Sequence, residues 1–291
     1  MAEEKTIKDK NILNEEIKSL KGKANRLRKK VLEMAVNAGA GHVAPSFSCM
    51  EILVSLYYGG ILRVNGKDHN WPDRDRFILS KGHAAPALYA ILADLGFFPK
   101  SDLDGFAKNG NRLGCHPENS TPGVEAFTGS LGHGLSIGAG LALGAKLDKK
   151  GYSTVVLMGD GECHEGSVWE AAMFAAQYKL NNLIAIVDHN GLSATGILEQ
   201  YLSVSPLQNK WEAFGWDAIS VQGHSFAELL HVLRVNAKQK RSKPLAIIAL
   251  TTKGKGVSFM ENSPIWHYRV PIGEQLDIAR RELNQESEDL Q

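Results

Sequence analysis

Two apolar runs, Thr154-Val155-Val156-Leu157-Met158 and Leu183-Ile184-Ala185-Ile186-Val187, each end in a polar turn that carries glycine. The first continues as Gly159-Asp160-Gly161, then Glu162, Cys163, His164, Glu165 and Gly166; the second as Asp188-His189-Asn190-Gly191. Short continuous runs rich in β-branched residues read as strands buried on both faces, and Ser167 to about Tyr178 between them reads as a helix. A strand–helix–strand unit delivers a carboxylate, Asp160, and an amide, Asn190, to the same edge of a parallel sheet. That pair suits a hard divalent cation that also holds a diphosphate. Magnesium takes octahedral oxygen ligands at ~2.1 Å, usually one or two carboxylates plus phosphate oxygens. Gly161 lets the backbone come close, and the helix that follows offers free N–H groups to phosphate. On spacing alone, a plain strand–turn–helix with a surface Asp and Asn fits equally well.

The rest of the chain repeats the alternation. Residues 1–14 form a polar extension whose first twelve positions read as frayed, and Glu15 to about Ala38 reads as a helix with Ile17, Leu20, Ala24, Leu27, Val31, Met34 and Ala35 on one face. Its basic residues (Lys21, Lys23, Arg26, Arg28, Lys29, Lys30) read as a solvated face rather than a nucleic-acid patch. Gly39-Ala40-Gly41-His42 ends that helix, and Ser46 opens another through Tyr58. Phe77 to Ser80 reads as a strand leading into Lys81-Gly82-His83 and a helix from Pro86 to about Leu95. Residues 100–128 read as loop. Gly129-Ser130-Leu131-Gly132-His133-Gly134 opens a small-residue helix through Ala145. Further on come a short helix at Trp211–Phe214, strands at Asp217–Val221 and Leu245–Thr251, and a helix at Ser225–Lys238. The expected fold is α/β, a parallel sheet with helices on both faces, as a single domain over residues 15–275 followed by a polar tail or helix over 276–291. Ligands of such sheets bind beyond the carboxyl ends of the strands, where His83, Asp160, Asn190 and Thr252-Lys253-Gly254-Lys255-Gly256 all fall.

Composition excludes several classes. A net charge of +1 in 291 residues gives no electrostatic footprint for nucleic acid. Three scattered cysteines, Cys49, Cys115 and Cys163, form no CxxC pair, so a reducing, cytoplasmic setting is expected. There is no signal-peptide core, and the small-residue stretch from Gly129 to Ala145 falls short of the ~20 predominantly apolar residues of a membrane span. GxxxxGK[ST] and GxGxxG are absent, which argues against a P-loop or a dinucleotide site. Cys115-His116 and Cys163-His164 are not spaced as zinc ligands. His42, His83, His116 and His267 lie in loops beside Gly, Pro or aromatic residues. Gathered at one ligand edge, such imidazoles could bind phosphate, orient hydroxyls or move protons near neutral pH.

The ordered set of these motifs resembles the N-terminal part of transketolase, a thiamine-diphosphate enzyme. The segments are Gly41-His42, Asp75-Arg76-Phe77 with Ser80-Lys81-Gly82-His83, Gly114-Cys115-His116-Pro117-Glu118, Thr128 to Gly134, Gly159-Asp160-Gly161 with Glu165-Gly166, Asp188 to Leu192, and Thr251 to Gly256. The resemblance runs from about residue 15 to about 275 and implies a thiamine-diphosphate-binding fold. It implies Asp160, Asn190 and the Leu192 carbonyl as Mg²⁺ ligands. It implies His83, Gly161 and His267 as diphosphate contacts, and Gly129, Ser130 and Leu131 as the strip along the aminopyrimidine. His42, His116 and His267 would face the sugar and help move protons, and Glu165 and Glu170 would be interface acids of a dimer. Lys253 and Lys255 are either further phosphate contacts or exposed loop lysines. Three places depart from the family pattern. Gly41-His42-Val43-Ala44-Pro45 is one residue shorter than Gly-His-Pro-Gly-Ala-Pro, His133 stands where Gln is common, and the flanks of His267 differ.

The family's essential glutamate, which protonates the aminopyrimidine, belongs to a following domain with no counterpart here. The resemblance therefore implies the N-terminal subunit of a split transketolase of the pentose phosphate pathway type. It would work with a separate C-terminal polypeptide, in a homodimer or an α₂β₂ heterotetramer, on sugar phosphates. A related transketolase of sulfo- or branched sugars, or a cofactor-binding domain without activity, are the alternatives.

Overall fold

The computed structural model describes residues 2–238 and 241–288. In chain order it runs α1 (Ala2–Ala38), α2 (Val43–Ser48), α3 (Met50–Tyr58), β1 (Arg76–Leu79), α4 (Ala85–Asp94), α5 (Gly134–Leu147), β2 (Thr154–Gly159) and α6 (Gly166–Gln177). It continues with β3 (Leu183–His189), α7 (Leu207–Ala213), β4 (Asp217–Gln222), α8 (Phe226–Lys238), β5 (Leu245–Leu250) and α9 (Glu274–Glu288). The strands form one five-stranded sheet in the order β1-β2-β3-β5-β4, parallel at every pairing.

The continuous apolar runs are explained by burial on both faces. Val155, Leu157, Ile184, Ile186 and Ile247 point into a core shared with α1, α2, α3, α4, α8 and α9. Their neighbours Val156, Met158, Ala185, Val187, Ala246 and Ile248 point into a second core with α5, α6 and α7. Alternate residues of a strand face opposite sides, so a strand covered on both has no polar period to show. Among the described residues no helix is long and apolar enough to cross a membrane.

Two expectations are corrected. The first helix starts at Ala2 rather than near residue 15, so the polar residues continue its axis instead of fraying from Ala2 onward; Met1 lies outside the described residues. The segment expected as one helix from Ser46 to Tyr58 is two helices that break at Cys49. The break leaves the buried Ser48 hydroxyl donating to Asp188 Oδ1 at 2.8 Å, a contact no helical periodicity could announce. Of the polar tail or helix expected over 276–291, the helix is observed through Glu288, and the last three residues lie outside the described residues.

Residues 100–128 hold one short 3₁₀ segment, Lys100–Gly105, and otherwise loop, as their lack of period suggests. That loop is pinned to the sheet edge where Thr128 Oγ1 donates to the carbonyl of Leu79 at 2.6 Å. Gly82 makes the approach possible, because a Cβ there would lie 2.2 Å from the carbonyl oxygen of Thr128. The backbone cannot yield as a flexible side chain would. Gly82→Ala is therefore expected to destabilise the fold by about 1–3 kcal/mol, the usual cost of forcing atoms into a filled site. Urea unfolding checks this, and an unchanged midpoint would mean that the two segments can part freely.

Candidate active site

The β2–β3 register sets Gly159 opposite Asp188, so the two polar turns leave the sheet side by side. Asp160 then accepts from the backbone of both turns: Oδ1 from Gly161 N at 2.8 Å and Oδ2 from Gly191 N at 2.6 Å. His189 Nδ1 stands 3.0 Å from the same Oδ2. Asn190 Oδ1 accepts from Leu192 N at 3.1 Å, and its Nδ2 donates to Ser48 Oγ at 3.1 Å. Asp160, Asn190 and Leu192 line a cavity of about 240 Å³ that also takes in His83, Leu131, Gly161, Glu162, Lys253 and His267. Asp160, Asn190 and Leu192, read from the sequence as one set, thus meet in one place, with Gly161 and one residue of the Gly129–Leu131 strip beside them. Gly129 and Ser130 lie at the rim, Ser130 exposed.

The four histidines converge as well. His42 is the hub, with ring centroids 5.5 Å from His83, 5.9 Å from His116 and 5.2 Å from His267. Burial, helped by the positive charges of Lys253 and Lys81, pushes His42 down to about 4 and His267 to about 3, and carries His83 well below the ordinary range. Burial also lowers His116. All four are neutral imidazoles at pH 7, each with one donor and one acceptor nitrogen. Among the described residues His42 Nδ1 is one of the buried polar atoms without a protein partner.

Lys253 corrects the reading of an exposed loop lysine: it is 2% accessible. Its Nζ donates to the carbonyls of Ser193 (2.9 Å) and Leu192 (3.4 Å) and to His267 Nδ1 at 2.8 Å. Burial, with repulsion from Lys81, lowers it to about 8. Lys255 is half-exposed and pairs with Glu261 at 3.2 Å. The loop carrying Lys253 is itself held from below. Thr252 N donates to His224 Nε2 at 2.8 Å, His224 Nδ1 meets Glu51 at 2.8 Å, and Glu51 pairs with the buried Arg28 at 2.7 Å.

Sequence reasoning also passed over Glu162 and Tyr268. Glu162 is buried. It accepts from Gly132 N at 2.8 Å, Gly159 N at 3.2 Å and the Ser80 hydroxyl, which ties the glycine strip to the turn after β2. Its signal was visible only as a second acid right after Asp160-Gly161. Tyr268 packs its ring 4.6 Å from that of His42 while staying half-exposed. Glu165 immediately precedes α6 and Glu170 lies within its early turns; both are exposed.

A parallel sheet whose carboxyl edge carries an Asp-Gly turn, an Asn-bearing turn and a glycine strip defines a thiamine-diphosphate-binding fold. The chain belongs to the family described as transketolase, thiamine diphosphate binding domain, whose model matches residues 20–286. It is 42% identical over 282 residues to one of the subunits of the apulose-4-phosphate transketolase of Phocaeicola vulgatus, covering 95% of this chain and 98% of that one. It is 39% identical to the 6-deoxy-6-sulfo-D-fructose transketolase subunit SqwG of Clostridium sp. (strain MSTE9), covering 94% and 99%. The crystal structure of transketolase from Campylobacter jejuni superposes with a TM-score of 0.84 at 33% identity, over 91% of this chain and 42% of that chain. The chain thus spans nearly the full length of the first two relatives and less than half of the third.

The neutral His42 sets a pH dependence. Its folded value of about 4 lies below the ordinary 6.5, so between these values the unfolded chain binds a proton that the folded one refuses. Stability is complete above pH 6.5 and falls as the pH drops toward 4, by up to about 1.4 kcal/mol per pH unit for each such group. His42→Asn should remove one group's share of that slope. Unfolding free energies at pH 7, 6 and 5 test it; a slope identical to the native one would mean that His42 is charged in the fold.

Proposed function

We propose that this chain holds the diphosphate end of thiamine diphosphate on Mg²⁺ and, with a second polypeptide, moves a two-carbon ketol unit from a ketose phosphate to an aldose phosphate. The observation that carries this is the meeting, in one cavity, of three hard oxygen donors with a buried ammonium. Asp160, the Asn190 amide oxygen and the Leu192 carbonyl supply a single negative charge, which leaves a divalent ion net positive toward phosphate. Among the described residues, Lys253 makes its hydrogen bonds to neutral acceptors only, so its charge is available to an anion. His83 and His267 are further diphosphate contacts, and Gly161, which lines the same cavity, is the backbone contact. The backbone from Gly129 to Leu131 runs beside the aminopyrimidine. When bound, thiamine diphosphate supplies the carbon nucleophile and electron sink that break and form bonds next to a carbonyl.

The chain's own contribution is positioning and proton handling. His42, His116 and His267, neutral at working pH, hydrogen-bond the sugar hydroxyls and accept or return protons there. The orphaned Nδ1 of His42 is the strongest single support for such a ligand. Two observations support a partner. Relatives of nearly the same length are named as subunits. The rim of the site also leaves Phe127 61%, Ile265 54% and Tyr268 51% exposed, an apolar border that a second domain would cover. The outer face of α5 and α6, with Ile137, Met173 and Phe174 exposed near Glu165 and Glu170, is the proposed contact between two copies in an α₂β₂ assembly. The three unpaired cysteines suit a reducing, cytoplasmic setting. A second reading, favoured by the names of those relatives, makes the donor a modified sugar, either branched or sulfonated.

Purified chain, alone and with candidate C-terminal subunits, tests the proposal in ketol-transfer assays with xylulose 5-phosphate, apulose 4-phosphate or 6-deoxy-6-sulfofructose as donor. Transfer is expected only with a partner, and the preferred donor separates the two readings. Activity of the lone chain would refute the split assembly, and inactivity with every partner would leave a binding domain. Asp160→Ala should abolish metal-dependent thiamine diphosphate binding, measured by calorimetry. Lys253→Met should weaken it roughly 10- to 100-fold, the worth of a hydrogen bond to a charged group. Native affinity in either variant would remove that residue from the site.

A further inference from the structure

We infer that Ser48, a residue outside the cavity, fixes which end of the Asn190 amide faces the metal. This rests on the metal reading above. Ser48 is fully buried, and its hydroxyl has a single proton. That proton goes to Asp188 Oδ1 at 2.8 Å. Asp188 is wholly inaccessible and ionised against Lys81, so it can only accept. Thr251 donates to the same Oδ1, and its own Oγ1 lies 3.2 Å from that of Ser48. Ser48 therefore presents a lone pair to Asn190, 3.1 Å away, and the group that meets a lone pair must be the amide NH₂.

A second contact gives the same answer independently. Leu192 N–H points at the other amide atom from 3.1 Å, and an N–H requires an oxygen there. A flipped Asn190 would set NH₂ against N–H on one side. On the other it would draw the Ser48 proton away from a buried carboxylate. Carboxylate, hydroxyl and amide thus form a directed chain, Asp188 ← Ser48 ← Asn190, that leaves Oδ1 on the cavity side. Ser48 is a positioning residue. It touches neither cavity nor ligand, and it acts by forbidding the amide rotamer that would offer a cation two hydrogens.

The test compares Ser48→Ala with Thr251→Val. Both remove one hydroxyl donor from Asp188 Oδ1, but only the first removes the acceptor that orders Asn190. The readouts are Mn²⁺ affinity in the presence of thiamine diphosphate, from the electron paramagnetic resonance of free Mn²⁺, and thermal stability. The protein is the full chain, alone and assembled with its partner. Ser48→Ala is expected to weaken Mn²⁺ binding 10- to 100-fold, the usual effect of losing a group that orients a ligand. Thr251→Val is expected to stay within about twofold of native while losing comparable stability, since the loss of a hydrogen bond lowers stability whatever its orientation role. Ser48→Cys, with a weaker donor and acceptor, should fall between the two and serves if the alanine variant does not fold. Equal affinities in the Ser48 and Thr251 variants, with Asp160→Ala still abolishing binding, would overturn this inference and leave the metal site standing. No Mn²⁺ binding by the native protein would overturn the metal reading and this inference with it.

Discussion

The arrangement at the carboxyl edge of the sheet depends on one buried ion pair, Lys81 with Asp188. Neither side chain is more than 2% accessible. Taking two charges out of water costs several kcal/mol for each ion, and a pair of this kind survives only when its remaining valences are filled. Here they are. Asp188 also accepts from Ser48 and Thr251, and Lys81 also donates to the carbonyl of Pro45 at 3.1 Å. Burial alone would raise the Asp188 carboxyl and lower the Lys81 ammonium. Their mutual attraction outweighs it and moves each the other way. The partners come from the exit of β1, from α2, from the end of β3 and from the exit of β5. The pair thus draws four segments far apart in sequence to one point, next to the turns that carry Asp160, Asn190 and Lys253.

The sheet and the meeting of Asp160 with Asn190 at its carboxyl edge were legible in the sequence because both are written locally. An apolar run that stops at Gly-Asp-Gly declares where a strand ends and which polar groups its turn carries, and the same logic at Asp188-His189-Asn190 places the second turn beside it. Lys253 and Glu162 were not legible, because a lysine in a Lys-Gly-Lys-Gly stretch and an acid in a polar turn are solvated in most contexts. Their burial is decided by segments distant in sequence: the Leu192–Ser193 carbonyls for one, Ser80 and Gly132 for the other. The break between α2 and α3 has the same cause. Ser46 to Tyr58 is apolar nearly all round because it is buried nearly all round, so its pattern carried no phase from which a break at Cys49 could be read.

Close backbone approach is the second constraint. Gly132 has φ +85°, and a Cβ there would lie 2.5 Å from that of Glu165, so the strip from Gly129 can lie against the start of α6 only with glycine at this position. Glu162 then bridges the strip and the β2 turn through the two backbone N–H groups it accepts. A carboxylate so placed is costly in isolation, and burial does raise it. Three donors around it make it a strut, and the turn after β2 therefore carries two acids with separate tasks. Both line the cavity, but Asp160 ties the two turns together, and the Glu162 carboxylate accepts from Gly132, Gly159 and Ser80.

Charge across the site is graded in a way that constrains its ligand. Next to the sheet edge lie a full negative charge on Asp160 and a positive charge on Lys253. Beside them lie four imidazoles, of which His83 and His267 line the same cavity, all held neutral by burial and three of them also by the lysines' field. A ligand charged along its whole length would strand its outer charges among groups unable to answer them. A purely neutral ligand would leave Lys253 buried without an anion. The gradient suits a molecule that is ionic at its inner end and polar but uncharged at its middle, with a reacting part beyond the Gly129–Ser130 strip. That outer part meets water along the rim of Phe127, Ile265 and Tyr268. Chemistry that needs a dry, low-dielectric cleft cannot be completed against an open rim. On the proposed function, the same gradient would put the ligand's reactive end at the exposed rim, where the proposed second polypeptide would close over it.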